Sequence, residues 1–135
     1  MAEDTEALIR AWYAAFDAGD REAMLALLAE DVAHDVNQGP REVGRPAFRE
    51  FLGQMDRCYR ERILELVVTV DGSGTRAAAE FVVEGEYLAT DSGLPPARGQ
   101  RYRLPAGAFF AVEGGRITRV TTYYNLRDWI AQVAG

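Results

Sequence analysis

The sequence predicts an α+β domain in which amphipathic helices come first and cover one face of a largely antiparallel sheet. Two observations carry this. Apolar residues recur at helical spacing through roughly the first 60 residues and follow a strand-like pattern from Ile63 onward. The strand-like runs are consecutive and joined by short turns, which is the order of an α+β fold. At 135 residues and 48% hydrophobic, the chain has the size and composition of one globular domain, taken as residues 1–135.

Leu8, Ile9, Trp12, Tyr13 and Phe16 mark a first helix between about Asp4 and Ala18, and Gly19 stops it. Asp20 is placed to cap a second helix with Met24, Leu27 and Leu28 on its apolar side. A short extended segment, Val32 to Val36, runs into the loop Asn37-Gln38-Gly39-Pro40. Pro46 suits the first position of a third helix, whose buried face is Phe48, Phe51, Leu52, Met55 and Tyr59.

Leu64 to Val70 then reads as a strand ending at the turn Asp71-Gly72-Ser73-Gly74. Arg76 to Leu88 is a second, with Phe81, Val83 and Tyr87 on one face and Glu80, Glu84 and Glu86 on the other. The length and position of the loop Asp91 to Gln100 suit a lid over a pocket, while Pro95-Pro96 within it equally suits a stiff connection. Tyr102 to Val112 and Ile117 to Tyr124 form a hairpin around Glu113-Gly114-Gly115. Asn125 caps a last helix carrying Leu126, Trp129, Ile130 and Val133. Long strands twist, so helices laid across such a sheet can leave a cavity between the layers.

Composition excludes several function classes. One cysteine, Cys58, forbids an intrachain disulfide, and one histidine, His34, forbids a zinc site built from Cys and His. All 15 basic residues are arginine, so Schiff-base chemistry on a lysine is excluded. A formal charge of −6 disfavours nucleic acid and anionic membranes as partners. No apolar run approaches the roughly 18 residues of a membrane span. The acidic start, Met1-Ala2-Glu3-Asp4, does not read as a signal peptide, so a cytoplasmic location is the expectation.

The segment HDVNQGPREVGRPAF (residues 34–48), the run GLPPARGQRYRLPAGAFFAV (residues 93–112) and the ending RVTTYYNLRDW (residues 119–129) resemble the ketosteroid-isomerase-related branch of the SnoaL-like proteins, within the NTF2-like superfamily. The resemblance implies a curved, mostly antiparallel sheet wrapped by N-terminal helices into a cone with an internal pocket, the NTF2-like or cystatin-like fold. It also implies a homodimer joined through the outer sheet face, where Glu80, Glu84 and Glu86 lie. Ketosteroid isomerases use an Asp general base, with a Tyr and a protonated Asp as oxyanion donors. Counting back from Gly44 puts the base on Asp35; counting forward from Ala18-Gly19-Asp20 puts Val36 there. The oxyanion Tyr falls on Trp12, beside Tyr13, and the oxyanion Asp falls on Gly107, which has no side chain.

Asp35 is the leading catalytic candidate, because a carboxylate walled by aromatics has its pKa raised and can accept a proton near neutral pH. His34 is adjacent, so alternation turns only one of the two inward unless a bulge intervenes. Asn37 shares the parity of Asp35 and is placed to orient it or to bond a ligand carbonyl. Trp12, Tyr13 and Phe16 share one helical stripe, where Trp12 and Phe16 pack in the core or wall a ligand. The Tyr13 hydroxyl is a candidate oxyanion donor.

Phe81 and Val83 are expected to line the pocket. The resemblance puts the Thr122 and Tyr124 face of the last strand inside too, making Tyr124 a second donor. Arg101 and Arg103 share a strand face with Phe109 near the expected pocket floor, and one of them meets an acidic substrate group, pairs with Asp35 or is solvated.

The expected activity is cofactor-free, metal-free proton transfer on a small apolar carbonyl compound, steroid-, polyketide- or terpenoid-like. The alternative is a binding module for an apolar metabolite or a partner protein, and the missing oxyanion Asp at position 107 favours it.

Overall fold

The structure, a computed structural model, describes residues 1–36 and 38–135. Ten elements follow in order: α1 (Ala2–Ala18), α2 (Arg21–Ala26), β1 (Leu28–Asp35), β2 (Glu42–Val43), α3 (Arg45–Cys58), β3 (Tyr59–Val70), β4 (Arg76–Tyr87), β5 (Arg101–Glu113), β6 (Arg116–Tyr124) and α4 (Leu126–Ala134). The six strands form one unclosed sheet in the order β2-β1-β6-β5-β4-β3. Every pairing is antiparallel except β1 with β6, which is parallel. Among the described residues no helix is long and apolar enough to cross a membrane.

The helix boundaries are set by local chemistry. Gly19 closes α1 in the left-handed conformation, φ 70°, where a Cβ is disfavoured. Asp20 caps α2 by accepting a hydrogen bond from the Ala23 amide at 3.0 Å, and Asn125 caps α4 through the Asp128 amide at 3.1 Å. Pro46 occupies the first turn of α3, where its missing N–H has no helical acceptor to lose. The first strand and the third-helix junction differ from the sequence reading: β1 begins at Leu28, and β3 begins at Tyr59 directly after Cys58. Cross-strand pairing of Tyr59 with Tyr87 and Arg60 with Glu86 draws this stretch into the sheet.

The helices lie over one face of the sheet. Ile9, Trp12 and Tyr13 from α1 and Phe48 and Leu52 from α3 join Phe81, Phe110, Ile117 and Val120 in the main core. Ala77, Ala79 and Ala108 in the central strands leave room for these large side chains. A second cluster, Tyr87, Tyr102, Leu104, Trp129 and Val133, lies where α4 covers β5.

Strand edges are occupied. The Asp17 carboxylate takes the free Ile63 amide of β3 at 2.9 Å. Where β5 outruns β6, Gln132 imitates a strand, bonding both the N–H and the carbonyl of Arg103 at 2.9 Å. A bulge interrupts the pairing of β3 between Leu64 and Val67, and inside it Glu65 adopts φ 56°.

Gly85 is required by a close approach. Glu61, Gly85 and Tyr102 stand in one cross-strand row, and the Tyr102 ring lies over Gly85. A Cβ at position 85 would meet the Tyr102 hydroxyl at 2.5 Å. Gly85→Ala should therefore lower stability by about 1–3 kcal/mol through overpacking, read as a lower urea midpoint; an unchanged midpoint would contradict this contact.

Candidate functional site

Parallel pairing of β1 with β6 decides which polar groups enter the interior. His34 stands opposite Val120, a core residue, whereas Asp35 stands opposite Thr121. His34 is therefore inside, 4% exposed, stacked on Phe48 at 4.0 Å and edge-on to Phe51 at 4.6 Å. Burial lowers its pKa to about 4 and the charge of Asp35 acts in the opposite sense, so the ring is neutral at physiological pH. Its Nδ1 atom is buried without a hydrogen-bond partner.

Asp35, expected inside, is on the other face. Its carboxylate receives Arg41 through two bonds, 2.8 and 3.0 Å, and the Thr121 hydroxyl at 2.8 Å. These bonds and the nearby guanidinium charges hold it below the usual carboxylate range. The carboxylate expected inside as the general base is thus an ion-paired group beside Thr121. Arg103 and Phe109 are outside as well. Arg103 pairs with Glu84 and Glu65, both at 3.1 Å, and Phe109 is 48% exposed with its ring against Tyr123. Neither lines the interior, because strand alternation carries both to the outer face with Arg101.

The remaining expectations divide between two places. Tyr13 is in the main core, tilted on Phe81 and edge-on to Phe110 at 5.1 and 6.1 Å, and burial raises its pKa so that it keeps its proton. Trp12 packs edge-on to Phe48, and Phe16 is half-buried beneath the Arg21 guanidinium. Phe81 and Val83 point inward; Thr122 and Tyr124 share that face by pairing with Ala108 and Ala106, and Tyr124 is 37% exposed. Asn37 lies outside the described residues.

Near the α3–β3 junction is a polar cluster that sequence reasoning missed. There the Tyr102 hydroxyl donates to Glu61 Oε2 at 2.5 Å, and the Tyr59 hydroxyl donates to Asp91 at 2.7 Å. Burial raises Glu61 above its ordinary value, although the Tyr102 bond and Arg21 pull the other way. The available signal was parity: Tyr59, Glu61 and Ile63 alternate with exposed Arg60 and Arg62. The loop carrying Asp91 is clasped down, with the Tyr87 hydroxyl donating to the Pro95 carbonyl at 2.7 Å and Gln100 reaching the carbonyls of Pro96 and Val133.

Two open clefts, about 550 and 530 Å³, lie against the Gly74 and Gly114 turns and over the Arg60–Arg62, Glu84–Glu86 and Arg101–Arg103 stretch. Among the described residues no His, Cys, Asp and Glu cluster is arranged to hold a metal ion.

A SnoaL-like domain model matches residues 9–120. A candidate polyketide cyclase from Xanthomonas campestris is 59% identical, covering 97% of each chain with a TM-score of 0.94. One from Silicibacter is 52% identical over 98% of this chain and 97% of the other, TM-score 0.96. An NTF2-like protein from Burkholderia xenovorans has the same fold at 14% identity, with 98% of each chain covered and a TM-score of 0.78. No curated protein matches the chain.

The lowered pKa of His34 links stability to pH. The unfolded imidazole takes up a proton near pH 6.5 and the folded one only near 4, so stability falls as pH drops through this window. The loss attributable to His34 is on the order of 3 kcal/mol. Urea unfolding at pH 7 and pH 4 should show it in the wild type and not in His34→Phe, and identical pH dependence in the two would exclude it.

Proposed function

Because this chain belongs to the SnoaL-like domain family, we propose that it is a proton-transfer enzyme of the cyclase or isomerase kind acting on a small, mostly apolar carbonyl compound. The observation that carries this reading is the neutral, buried imidazole of His34 with an unpartnered Nδ1 among aromatic rings. Such a nitrogen can take a proton from carbon beside a carbonyl, leaving an enolate. Tyr13, kept protonated by burial, supplies a donor for the enolate oxygen. The enolate carbon then attacks a second carbonyl to close a ring, the resulting alkoxide taking the proton back from His34; alternatively the enolate regains the proton at another carbon to complete an isomerisation. The proposed step calls for no metal or organic cofactor.

Likeness to the candidate polyketide cyclases favours a polyketide-like substrate over steroid- or terpenoid-like ones. The lack of a side chain at Gly107 favours the other reading, a binding module without turnover. One variant separates them. His34→Phe should lower kcat about 100-fold or more on the active members of a panel of 1,3-diketones and cyclic enones, with ligand affinity retained. Undiminished turnover would remove His34 from the mechanism, and absence of turnover in the wild type across the panel would favour the binding module.

We also propose that the outer sheet face meets a second copy of the chain. Val67, Phe109 and Tyr123 are each about half exposed there, at 52, 48 and 50%, an uneconomical display of apolar surface for a lone molecule. Sedimentation should give a dimer that Phe109→Glu with Tyr123→Glu converts to monomer; a monomeric wild type would refute the interface.

A further inference from the structure

No hydrogen bond at Nδ1 fixes the orientation of the His34 imidazole. The outer torsion of a histidine side chain is broad, and a carboxylate or carbonyl bonded to Nδ1 is the common means of fixing it. His34 is held by rings instead. Phe48 lies flat against it, with centroids 4.0 Å apart and planes 19° from parallel, and Phe51 meets it edge-on at 4.6 Å. Phe48 and Phe51 are three residues apart on α3 and share one side of that helix. Phe48 has no room to turn, being 2% exposed with Trp12 of α1 edge-on to it at 5.6 Å.

The place of Phe48 is decided by how α3 is tied to β1. The register of β1 with β6 breaks between Leu28 and Ala33, and the Leu28 carbonyl accepts from Arg45 Nε and Nη2 at 3.0 and 2.6 Å. The Gly44 amide donates to the Val32 carbonyl at 2.8 Å, and the Gly44 carbonyl opens the helix by accepting from the Phe48 amide at 3.2 Å. Both ties lie about one turn before Phe48 and reach the strand that carries His34. Among the described residues Arg45 forms no ion pair, so its guanidinium is committed to the Leu28 carbonyl.

We propose that Phe48 is the positioning residue of His34, setting the plane of its imidazole, and that Arg45 fixes Phe48 by clamping the first turn of α3 onto β1. This assignment rests on His34 acting as the base. Proton abstraction from carbon tolerates little misalignment, and a displacement of about 1 Å can cost roughly 100-fold in rate. A ring stacked on a buried phenyl cannot rock without losing that face contact or pressing on Phe51, so Nδ1 keeps one direction. Phe48 acts through His34 and needs no contact with substrate. Its contribution is therefore expected in kcat and not in KM.

His34 is the only histidine in the chain, so NMR of the full chain reads its ring protons directly. In the wild type the face of Phe48 shields them and moves their signals upfield. Phe48→Leu should return these signals downfield and lower kcat about tenfold or more on a diketone or enone that the wild type turns over, with KM little changed. Ile9→Val thins the same core from α1; it should lower the urea midpoint and leave both the His34 signals and kcat in place. Arg45→Met keeps the stem and deletes the donors. It should move the His34 signals downfield and lower kcat about three- to tenfold, although Arg45 itself bonds only Leu28. Arg45→Lys, which can restore one of the two bonds, should recover part of each effect. His34 signals unmoved in Phe48→Leu, or a raised KM with kcat unchanged, would overturn the role of Phe48. Signals unmoved in Arg45→Met would overturn the clamp, and this half-buried position carries the test if Phe48→Leu does not fold. A wild type without turnover would sink the proton-transfer reading alone, because the NMR comparison reads the placement of the ring without it.

Discussion

A sheet that is apolar on one face only has to be covered, and the architecture of this chain follows from that constraint. The helices and the sheet bury Ile9, Met24, Leu28, Phe48, Phe110 and Ile117 almost completely against one another. Burying a side chain of this size is worth roughly 1.5–3 kcal/mol, and no other term available to a chain of this length contributes as much. The opposite face keeps its charges in water, where Arg60, Arg62 and Arg103 pair loosely with Glu84 and Glu86. Exposed pairs of this kind contribute little stability, so the two faces differ in energetic role as well as in composition.

Once one face is inside, alternation along each strand assigns every side chain to one environment or the other, and chemistry follows from the assignment. His34 and Asp35 are neighbours in sequence and opposites in electrostatics. The imidazole loses water and is held neutral, while the carboxylate gains Arg41 and Thr121 and is held ionised. A shift of β1 by one residue against β6 would exchange the two. The parallel β1–β6 pairing is for that reason the contact on which the proposed chemistry most directly rests.

Polar groups inside the fold fall into two kinds. Thr5, bonded to the Gly74 carbonyl at 2.6 Å, and Asp91, with three donors, have their bonding satisfied and hold segments together. His34 Nδ1 leaves its capacity unused. An unused buried bond costs stability without structural return, and a ligand can supply what the fold does not. Strain at Glu65, held at φ 56° in the β3 bulge, is a smaller cost of the same sort.

The sequence by itself determined the fold class, the four helices, the two antiparallel hairpins and the family. Those signals are short-range: Gly19 and Asp20 as stop and start, the Asp71–Gly74 and Glu113–Gly115 turns, and the Asn125 cap. The site was only partly legible. His34 and Asp35 could be read as alternatives, but choosing between them needed β6, because Asp35 meets Thr121 across 86 positions of sequence. Glu61 was missed because Tyr59–Arg62 follows a helix without a turn, and its partner Tyr102 arrives from 41 residues away over Gly85. Caps and turns are made by neighbours along the chain and are written there. Register, the sharing of one carboxylate between distant strands and the desolvation that moves a pKa exist only once those strands are paired, so tertiary structure alone decided which groups came together.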